Sequence, residues 1–193
     1  MAELLRTHPL EAWRTAFERL PDTVGITAEP YVATVDVRLR VVGPEMSARL
    51  GVDLPTVPNT WVATDTGRAV WLGPDEWLLT STTEAPEEFE SRVRAAVLPL
   101  GGSATDVSAQ RIGLRLRGAR VRDLLAKGCS IDLHPRVFGR GRSAQTVLGQ
   151  AGVVLLALSD AGDDYVVLVR SSFAGYLADW LLDAALEFTT PDS

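Results

Sequence analysis

The chain contains few of the residues that bind metals or cross-link a fold. Its 193 residues include one cysteine, Cys129, and two histidines, His8 and His134. A single thiol excludes a disulfide within the chain and any site built from several thiolates, and two imidazoles are too few to replace them. We therefore expect no metal site, and we expect Cys129 to be a small buried thiol.

Basic charge and long hydrophobic runs are also scarce. Lysine and arginine total 19 against 25 aspartates and glutamates, which gives a net charge of −6. Nucleic acid and anionic membranes attract proteins with a basic face, so neither is an expected partner. The longest aliphatic run, residues 153–158, is far shorter than the about 20 residues that span a bilayer. Residues 1–6 lack the apolar segment of a secretory signal. We expect a soluble protein of the cytoplasm.

The chain does contain a normal globular composition and an internal repeat. Hydrophobic residues make up 46% and charged residues 23%, which is typical of a folded domain. Val52-Asp53-Leu54-Pro55 follows Gly43, and Ile131-Asp132-Leu133 with Pro135 follows Gly118 at nearly the same spacing. A duplicated module is the natural explanation, and each copy then supplies half of one core.

Hydrophobic periodicity predicts the order β-α-β-β-β-α in both copies. In the first copy the strands are predicted at 35–41, 60–64, 70–72 and 77–79, and the helices at 46–50 and 87–98. In the second copy the strands are predicted at 112–116, 145–148, 153–158 and 165–169, and the helices at 119–127 and 173–186. The expected fold is α+β, with duplicated β-α-β-β-β-α modules forming two antiparallel or mixed sheets and helices packed on them.

The same reading divides the chain into four segments of one compact unit. Residues 1–29 form an N-terminal helix and lead-in, with an apolar stripe of Leu10, Trp13, Phe17 and Leu20 after Pro9. Residues 30–101 form the first module, residues 102–188 form the second, and residues 189–193 are a tail.

Three patterns resemble functional sites, and two of them fail on context. Gly139, Gly141 and Ala144 have the spacing of a dinucleotide fingerprint, but a strand-like run follows where a helix is needed. Ser130, Asp132 and His134 are two residues apart and project in parallel, so they cannot converge as a hydrolytic triad. We expect Asp132 to cap a turn and His134 to pack.

The third pattern is a set of arginines in the glycine-rich loop. Arg136, Arg140 and Arg142 are the candidate contacts for an anion or for a partner protein, because planar guanidinium groups bind carboxylates and phosphates in a bidentate manner. Trp61, Trp71 and Trp77 are expected in the core, where any exposed indole would mark a partner surface.

Three spaced motifs resemble a known family. They are Trp71-Leu72-Gly73-Pro74-Asp75-Glu76-Trp77-Leu78-Leu79, then Lys127-Gly128-Cys129-Ser130-Ile131-Asp132-Leu133-His134-Pro135 with Phe138-Gly139, and Ser171-Ser172-Phe173-Ala174. Together they are similar to the gamma subunit of heterotetrameric sarcosine oxidase, from about Pro30 to the final helix. The resemblance also implies a fold like that of the folate-binding aminomethyltransferase of the glycine-cleavage system.

The resemblance implies a role within a larger enzyme. Such a complex oxidatively demethylates sarcosine to glycine and passes the one-carbon unit to tetrahydrofolate. Its alpha, beta and delta subunits are expected to carry FAD, FMN, NAD, the folate site and zinc. For this chain we therefore expect no catalytic, cofactor-binding or metal-binding residues, and we expect a docking role toward the large folate-domain-containing subunit.

Two alternatives remain. The chain could be a free-standing folate-dependent one-carbon transferase, in which Asp106 or Asp132 contacts the pterin and residues 136–142 hold the glutamate tail. It could also be a paralogue that serves a related N-methyl amine oxidase, because substrate selection would then reside in another chain.

Overall fold

The computed structural model describes residues 7–40 and 43–189. The described residues form ten strands and five α-helices. The strands are β1 (Gly25–Ala28), β2 (Ala33–Arg38), β3 (Trp61–Ala63), β4 (Arg68–Gly73), β5 (Glu76–Ser81), β6 (Ser103–Asp106), β7 (Arg111–Arg117), β8 (Ser143–Leu148), β9 (Ala151–Ala157) and β10 (Asp164–Arg170). The α-helices are α1 (Arg14–Glu18), α2 (Pro44–Leu50), α3 (Pro86–Val97), α4 (Val121–Ala126) and α5 (Ala174–Ala185).

The strands form two five-stranded antiparallel sheets with the same topology. Sheet 1 has the order β6-β2-β5-β4-β3, and sheet 2 has the order β1-β7-β10-β9-β8. In each sheet the first strand of the module (β2 or β7) lies beside its last strand (β5 or β10). The third and then the second strand of the module follow toward the edge. The predicted duplication and the α+β class are confirmed by this match, since each sheet is built from the same succession of elements.

The modules exchange their fifth strands. β1 precedes the first module but pairs with β7 of sheet 2, in the register Ile26 opposite Leu116. β6 lies just before the second module's β7 but pairs with β2 of sheet 1, in the register Val37 opposite Ala104. Neither strand was predicted, because strands this short with one buried residue each carry no readable alternation.

Three apolar clusters hold the layers together. One joins sheet 1 to α2 and α3, and a larger one joins sheet 2 to α1, α4 and α5. A third lies between the sheets and consists of Val70, Leu72, Leu78, Val154, Leu156 and Val166. Helices thus cover the outer face of each sheet, while the inner faces pack on each other as in a sheet-on-sheet core.

Most element boundaries differ from prediction by a few residues. The predicted strand at 35–41 begins at Ala33 and ends at Arg38, and its predicted residue Val41 lies outside the described residues. The helix predicted at 119–127 spans only Val121–Ala126. It begins late because Gly118 has a φ of 137°, outside the helical region. The N-terminal stripe is confirmed, with Leu10 and Phe17 buried and Trp13 and Leu20 packed beside them.

Candidate functional site

The main concave surface surrounds residues 29–32, the segment that crosses from β1 in sheet 2 to β2 in sheet 1. Three adjoining cavities of about 600, 450 and 490 Å³ share Glu29, Pro30 and Tyr31 in their walls. The second reaches between the sheets and is also lined by Leu78 and Leu168. We call it the inter-sheet cleft. A concave site between two modules is a common place for ligand or partner binding.

An ion pair between the sheets forms one wall of the inter-sheet cleft. Arg68 of β4 donates from Nη1 and Nη2 to the two carboxylate oxygens of Glu29, at 2.9 and 2.8 Å. Both side chains are largely buried, with exposures of 24% and 18%. Gly113 makes room for the pair, because a Cβ there would lie 2.6 Å from a Glu29 oxygen. The sequence offered no signal for this contact between distant residues.

Arg111 is the second cation of the inter-sheet cleft. It is half-buried, and its guanidinium forms no hydrogen bond or ion pair among residues 7–40 and 43–189. Burial lowers the pKa of Arg111 and the nearby charge of Arg170 lowers it further, whereas Asp36 and Glu76 raise it. The guanidinium remains a cation at neutral pH, since its ordinary pKa is far above 7.

Asp106 is engaged at the rim of the cleft rather than free for a ligand. Its Oδ1 accepts the Ser108 backbone N–H at 2.9 Å and the Ser108 hydroxyl at 2.5 Å. The Ser108 oxygen in turn accepts the Thr34 N–H at 2.8 Å. This chain of bonds joins the end of β6 to β2, which is a structural use of the carboxylate.

The three loop arginines lie in one segment but have different anchors. Arg136 is exposed and donates from N and Nε to His134 Nδ1, at 3.2 and 3.4 Å. The Arg140 backbone N–H donates to Asp160 at 3.0 Å, and Arg142 forms an isolated bridge with Thr60. Among the residues that the structure describes, no carboxylate lies within ion-pair distance of these guanidinium groups. The loop backbone is fixed, and within the described part of the chain its guanidinium groups have no carboxylate partner.

The neighbouring turn confirms two predictions and corrects a third. Asp132 Oδ1 accepts the His134 backbone N–H at 2.8 Å, so Asp132 does cap a turn. Cys129 is a buried free thiol in the core of sheet 2. His134 does not pack, however. Its side chain is exposed because its Nδ1 faces outward to accept from Arg136.

The tryptophans line cores, and the glycine-rich loop precedes a strand. Trp77 is buried in sheet 1 beside Trp71, its cross-strand partner. Trp61 lies on the opposite face, between the sheets, where its Nε1 donates to Ala157 O at 3.0 Å. The residues after Gly141 form β8, so the context that a dinucleotide fingerprint requires is not present there.

Within residues 7–40 and 43–189, His, Cys, Asp and Glu side chains form no group of three or more that could hold a metal ion. None of the helices there is long and apolar enough to cross a membrane.

Comparisons with known proteins agree with this architecture. The model of the sarcosine oxidase gamma subunit family matches residues 40–187. The sarcosine oxidase subunit gamma of Corynebacterium sp. (strain U-96) is 33% identical over 189 residues, covering 95% of this chain and 88% of that relative.

Solved structures extend the likeness to three dimensions. A chain of the heterotetrameric sarcosine oxidase from Corynebacterium sp. U-96, in complex with pyrrole 2-carboxylate, superposes with a TM-score of 0.86 at 28% identity, over 98% of this chain and 99% of that one. The glycine cleavage system aminomethyltransferase T from Bartonella henselae superposes with a TM-score of 0.58 at 14% identity, over 91% of this chain and 50% of that one. The second likeness confirms the expected fold alone. Given the family match over most of its length, the chain belongs to the sarcosine oxidase gamma subunit family.

Proposed function

We propose that this chain is a non-catalytic gamma subunit of a heterotetrameric sarcosine oxidase, which converts sarcosine to glycine and transfers the one-carbon unit to tetrahydrofolate. The observation that carries the proposal is the superposition on a chain of a heterotetrameric sarcosine oxidase along nearly the full length of both chains. The complex would act in the cytoplasm, and the chain would bind its large, folate-domain-containing subunit.

The polar groups of the candidate site support a structural role. Glu29 and Arg68 neutralise each other across the inter-sheet cleft. Asp106 and Asp132 each accept a backbone N–H two residues ahead, which stabilises turns rather than a reacting group. As the family resemblance implies, we propose that the alpha, beta and delta subunits carry FAD, FMN, NAD, tetrahydrofolate and zinc, and that this chain carries no cofactor.

We assign the loop arginines to contact with a partner subunit or an anion. Arg136 and Arg140 are exposed, and the guanidinium groups of all three lack a carboxylate partner among the described residues. A carboxylate of another subunit would complete the bidentate geometry that guanidinium favours. The folded loop would position the cations before binding.

Co-expression tests the assignment to the complex. The genes of the flavin-dependent oxidase subunits are expressed with and without this chain. We expect the chain to co-purify with them, and we expect sarcosine-dependent peroxide formation to fall when it is omitted. Equal assembly and equal turnover without the chain would contradict the proposal.

A charge-matched comparison tests the loop arginines. Replacing Arg136, Arg140 and Arg142 together by glutamine should weaken co-purification by about tenfold, since each charged contact contributes modestly. The control replaces Arg49, Arg94 and Arg120 by glutamine, because these exposed arginines are already paired with carboxylates close to them in the chain. Equal weakening by both triple variants would show a general charge effect and would reject the assigned contact.

The free-standing folate transferase predicts a different result. Under that alternative, the isolated chain binds a reduced folate in a saturable fluorescence titration, and Asp106→Ala or Asp132→Ala abolishes the binding. Under our proposal the isolated chain binds no folate. A related N-methyl amine oxidase would reveal itself when the assembled complex is assayed with sarcosine and with other N-methyl amines.

A further inference from the structure

The outer edge of β1 carries hydrogen-bonding groups that nothing in the described chain uses. The Glu29 N–H donates to Gly113 O at 2.8 Å, which fixes the alternation of the ladder with β7. Thr27 therefore faces β7, and the N–H and C=O groups of Ile26 and Ala28 point away from the sheet. Among residues 7–40 and 43–189, no hydrogen bond reaches these four groups.

The other three edge strands differ, because each has an outward group that is bonded. The counterpart of β1 in sheet 1 is β6, and an arginine of α3 covers its outward carbonyl. The edges of β3 and β8 each bond a loop of the other module. These contacts are Arg94 Nη2 to Ala104 O at 3.2 Å, Trp61 N to Gly141 O at 2.9 Å and Ser143 N to Asn59 O at 2.9 Å. Natural proteins usually protect exposed edges, so an edge whose outward groups bond to no described residue is distinctive.

A groove lies directly beside the open edge. The cavity of about 600 Å³ is lined by β1 and by α1, which packs beneath the strand. Leu10, Phe17 and Ile26 form its apolar floor, although their exposures are only 1%, 4% and 2%. An added strand would lie about 4.8 Å from β1, and its inward side chains would rest on α1 as those of Ile26 do.

The charges of the groove specify one further feature of its occupant. Glu11 is paired with Arg14 at 2.6 Å, and Glu29 is paired with Arg68 at 2.8 Å. Glu18 is the carboxylate of the groove for which the described residues provide no ion pair. A lysine or arginine on the occupant would complement it.

We propose that the outer edge of β1 receives an extended segment of another subunit of the oxidase complex as a sixth strand of sheet 2. The segment has a basic residue near Glu18. Backbone hydrogen bonds to Ile26 and Ala28 supply affinity, and the groove supplies side-chain selection, as in other cases of strand addition. The inference rests on the proposed function, because it takes its occupant from the complex.

Amide hydrogen exchange in the full-length chain tests the strand addition. The Ile26 and Ala28 amides should exchange quickly in the isolated chain and at least tenfold more slowly in the assembled oxidase. The Thr27 amide, which faces β7, should be protected in both and serves as the internal control. Fast exchange at Ile26 and Ala28 in the complex overturns the proposal. Protection that grows with the concentration of the isolated chain also overturns it, because the occupant is then a second copy.

A pair of substitutions at Ala28 gives an independent test. Ala28→Pro removes the outward N–H, which an edge strand tolerates, whereas Ala28→Ser retains it. We expect Ala28→Pro to weaken assembly by about tenfold and Ala28→Ser to leave it unchanged. Equal assembly of both variants refutes the strand addition. If the unmodified chain fails to assemble at all, the proposed function fails first, so the two failures are distinguishable. Should Ala28→Pro misfold, the exchange measurement on the unmodified chain decides.

Discussion

At the scale of single residues, the two modules solve the same packing problem differently. Trp77 and Tyr165 are the second residues of β5 and β10, and both are fully buried. The Trp77 Nε1 donates to Pro55 O at 2.8 Å. The Tyr165 hydroxyl lies near Gly162, next to Pro135, but it has no hydrogen-bond partner among the residues that the structure describes. A buried hydroxyl without a partner costs free energy.

Removing this hydroxyl should stabilise the chain. We expect Tyr165→Phe to raise the free energy of unfolding by about 1 kcal/mol, because the desolvated group disappears while the ring remains packed on Phe138. Urea denaturation measures the change. The control is Tyr176→Phe, which removes the acceptor of the Gln150 N–H at 2.9 Å and should destabilise slightly. A loss of stability in Tyr165→Phe would reveal a partner for the hydroxyl.

The pKa of Asp164 determines one contribution to the pH dependence of stability. Burial alone would raise the pKa of Asp164, but the hydrogen bonds and charges of Arg115 and Arg117 together outweigh burial and lower it. A lowered carboxyl pKa stabilises the fold above the unfolded pKa of about 4, and this stability is lost as pH falls through the lower folded value.

Thermal unfolding from pH 7 to pH 3 tests the direction of this pKa shift. Asp164→Asn should be less stable than the unmodified chain by about 1 to 3 kcal/mol at pH 7, because a charged hydrogen-bonded pair is lost. The difference in Tm should shrink below about pH 4, as the native carboxylate becomes protonated. A difference that stays constant over the whole range would contradict the assignment of the lowered pKa to this residue.

At the scale of elements, the internal sequence repeat adopts a different backbone conformation in each module. Gly118 lies at a φ of 137°, and a Cβ there would approach Asp22 O to 2.3 Å. Gly43, its match in the first copy, has an extended φ of −169° and open space where a Cβ would be. Only Gly118 is therefore required by its conformation, because the residues before β1 pack against it.

This asymmetry predicts unequal effects of the same substitution. Gly118→Ala should lower the free energy of unfolding by about 2 kcal/mol or more, since it adds backbone strain and a close contact. Gly43→Ala should change it by less than about 0.5 kcal/mol. Equal effects in urea denaturation would show that the glycines have equivalent roles in the two copies.

At the scale of the whole molecule, the exchanged strands and the cluster between the sheets join the modules. β1 and β6 each complete the sheet of the other half. Leu78 and Leu156 meet in the cluster between the sheets with exposures of 1% and 0%. Two halves linked in this way should unfold together, because neither can separate without exposing apolar surface and breaking a strand ladder.

A substitution between the sheets tests this coupling. Leu78→Ala should destabilise the chain by about 2 to 5 kcal/mol while unfolding remains a single transition. In a background with Trp13→Phe and Trp180→Phe, which removes the two indoles packed on the sheet 2 cluster, tryptophan fluorescence reports on sheet 1, where Trp71 and Trp77 lie. Far-ultraviolet circular dichroism reports on both halves. Leu98→Ala is the control, because Leu98 is 63% exposed. Non-coincident transitions would show independent modules.

The sequence by itself determined the duplication and most of the elements, including eight of the ten described strands. Alternating aliphatics predicted β2, and apolar runs around a Gly-Pro-Asp turn predicted β4 and β5, because side-chain periodicity is a local property. The three motifs gave the family, which the comparisons confirmed. The capping role of Asp132 was predictable as well, since its partner is two residues away.

Only the tertiary structure decided which strands pair and which surfaces stay open. The exchange of β1 and β6 and the pair of Glu29 with Arg68 depend on residues far apart in the chain. A short strand carries no mark of its partner, because backbone hydrogen bonds are the same for every residue type. The open edge of β1 follows from that pairing and from the absence of a covering side chain in the described residues, which no local pattern records.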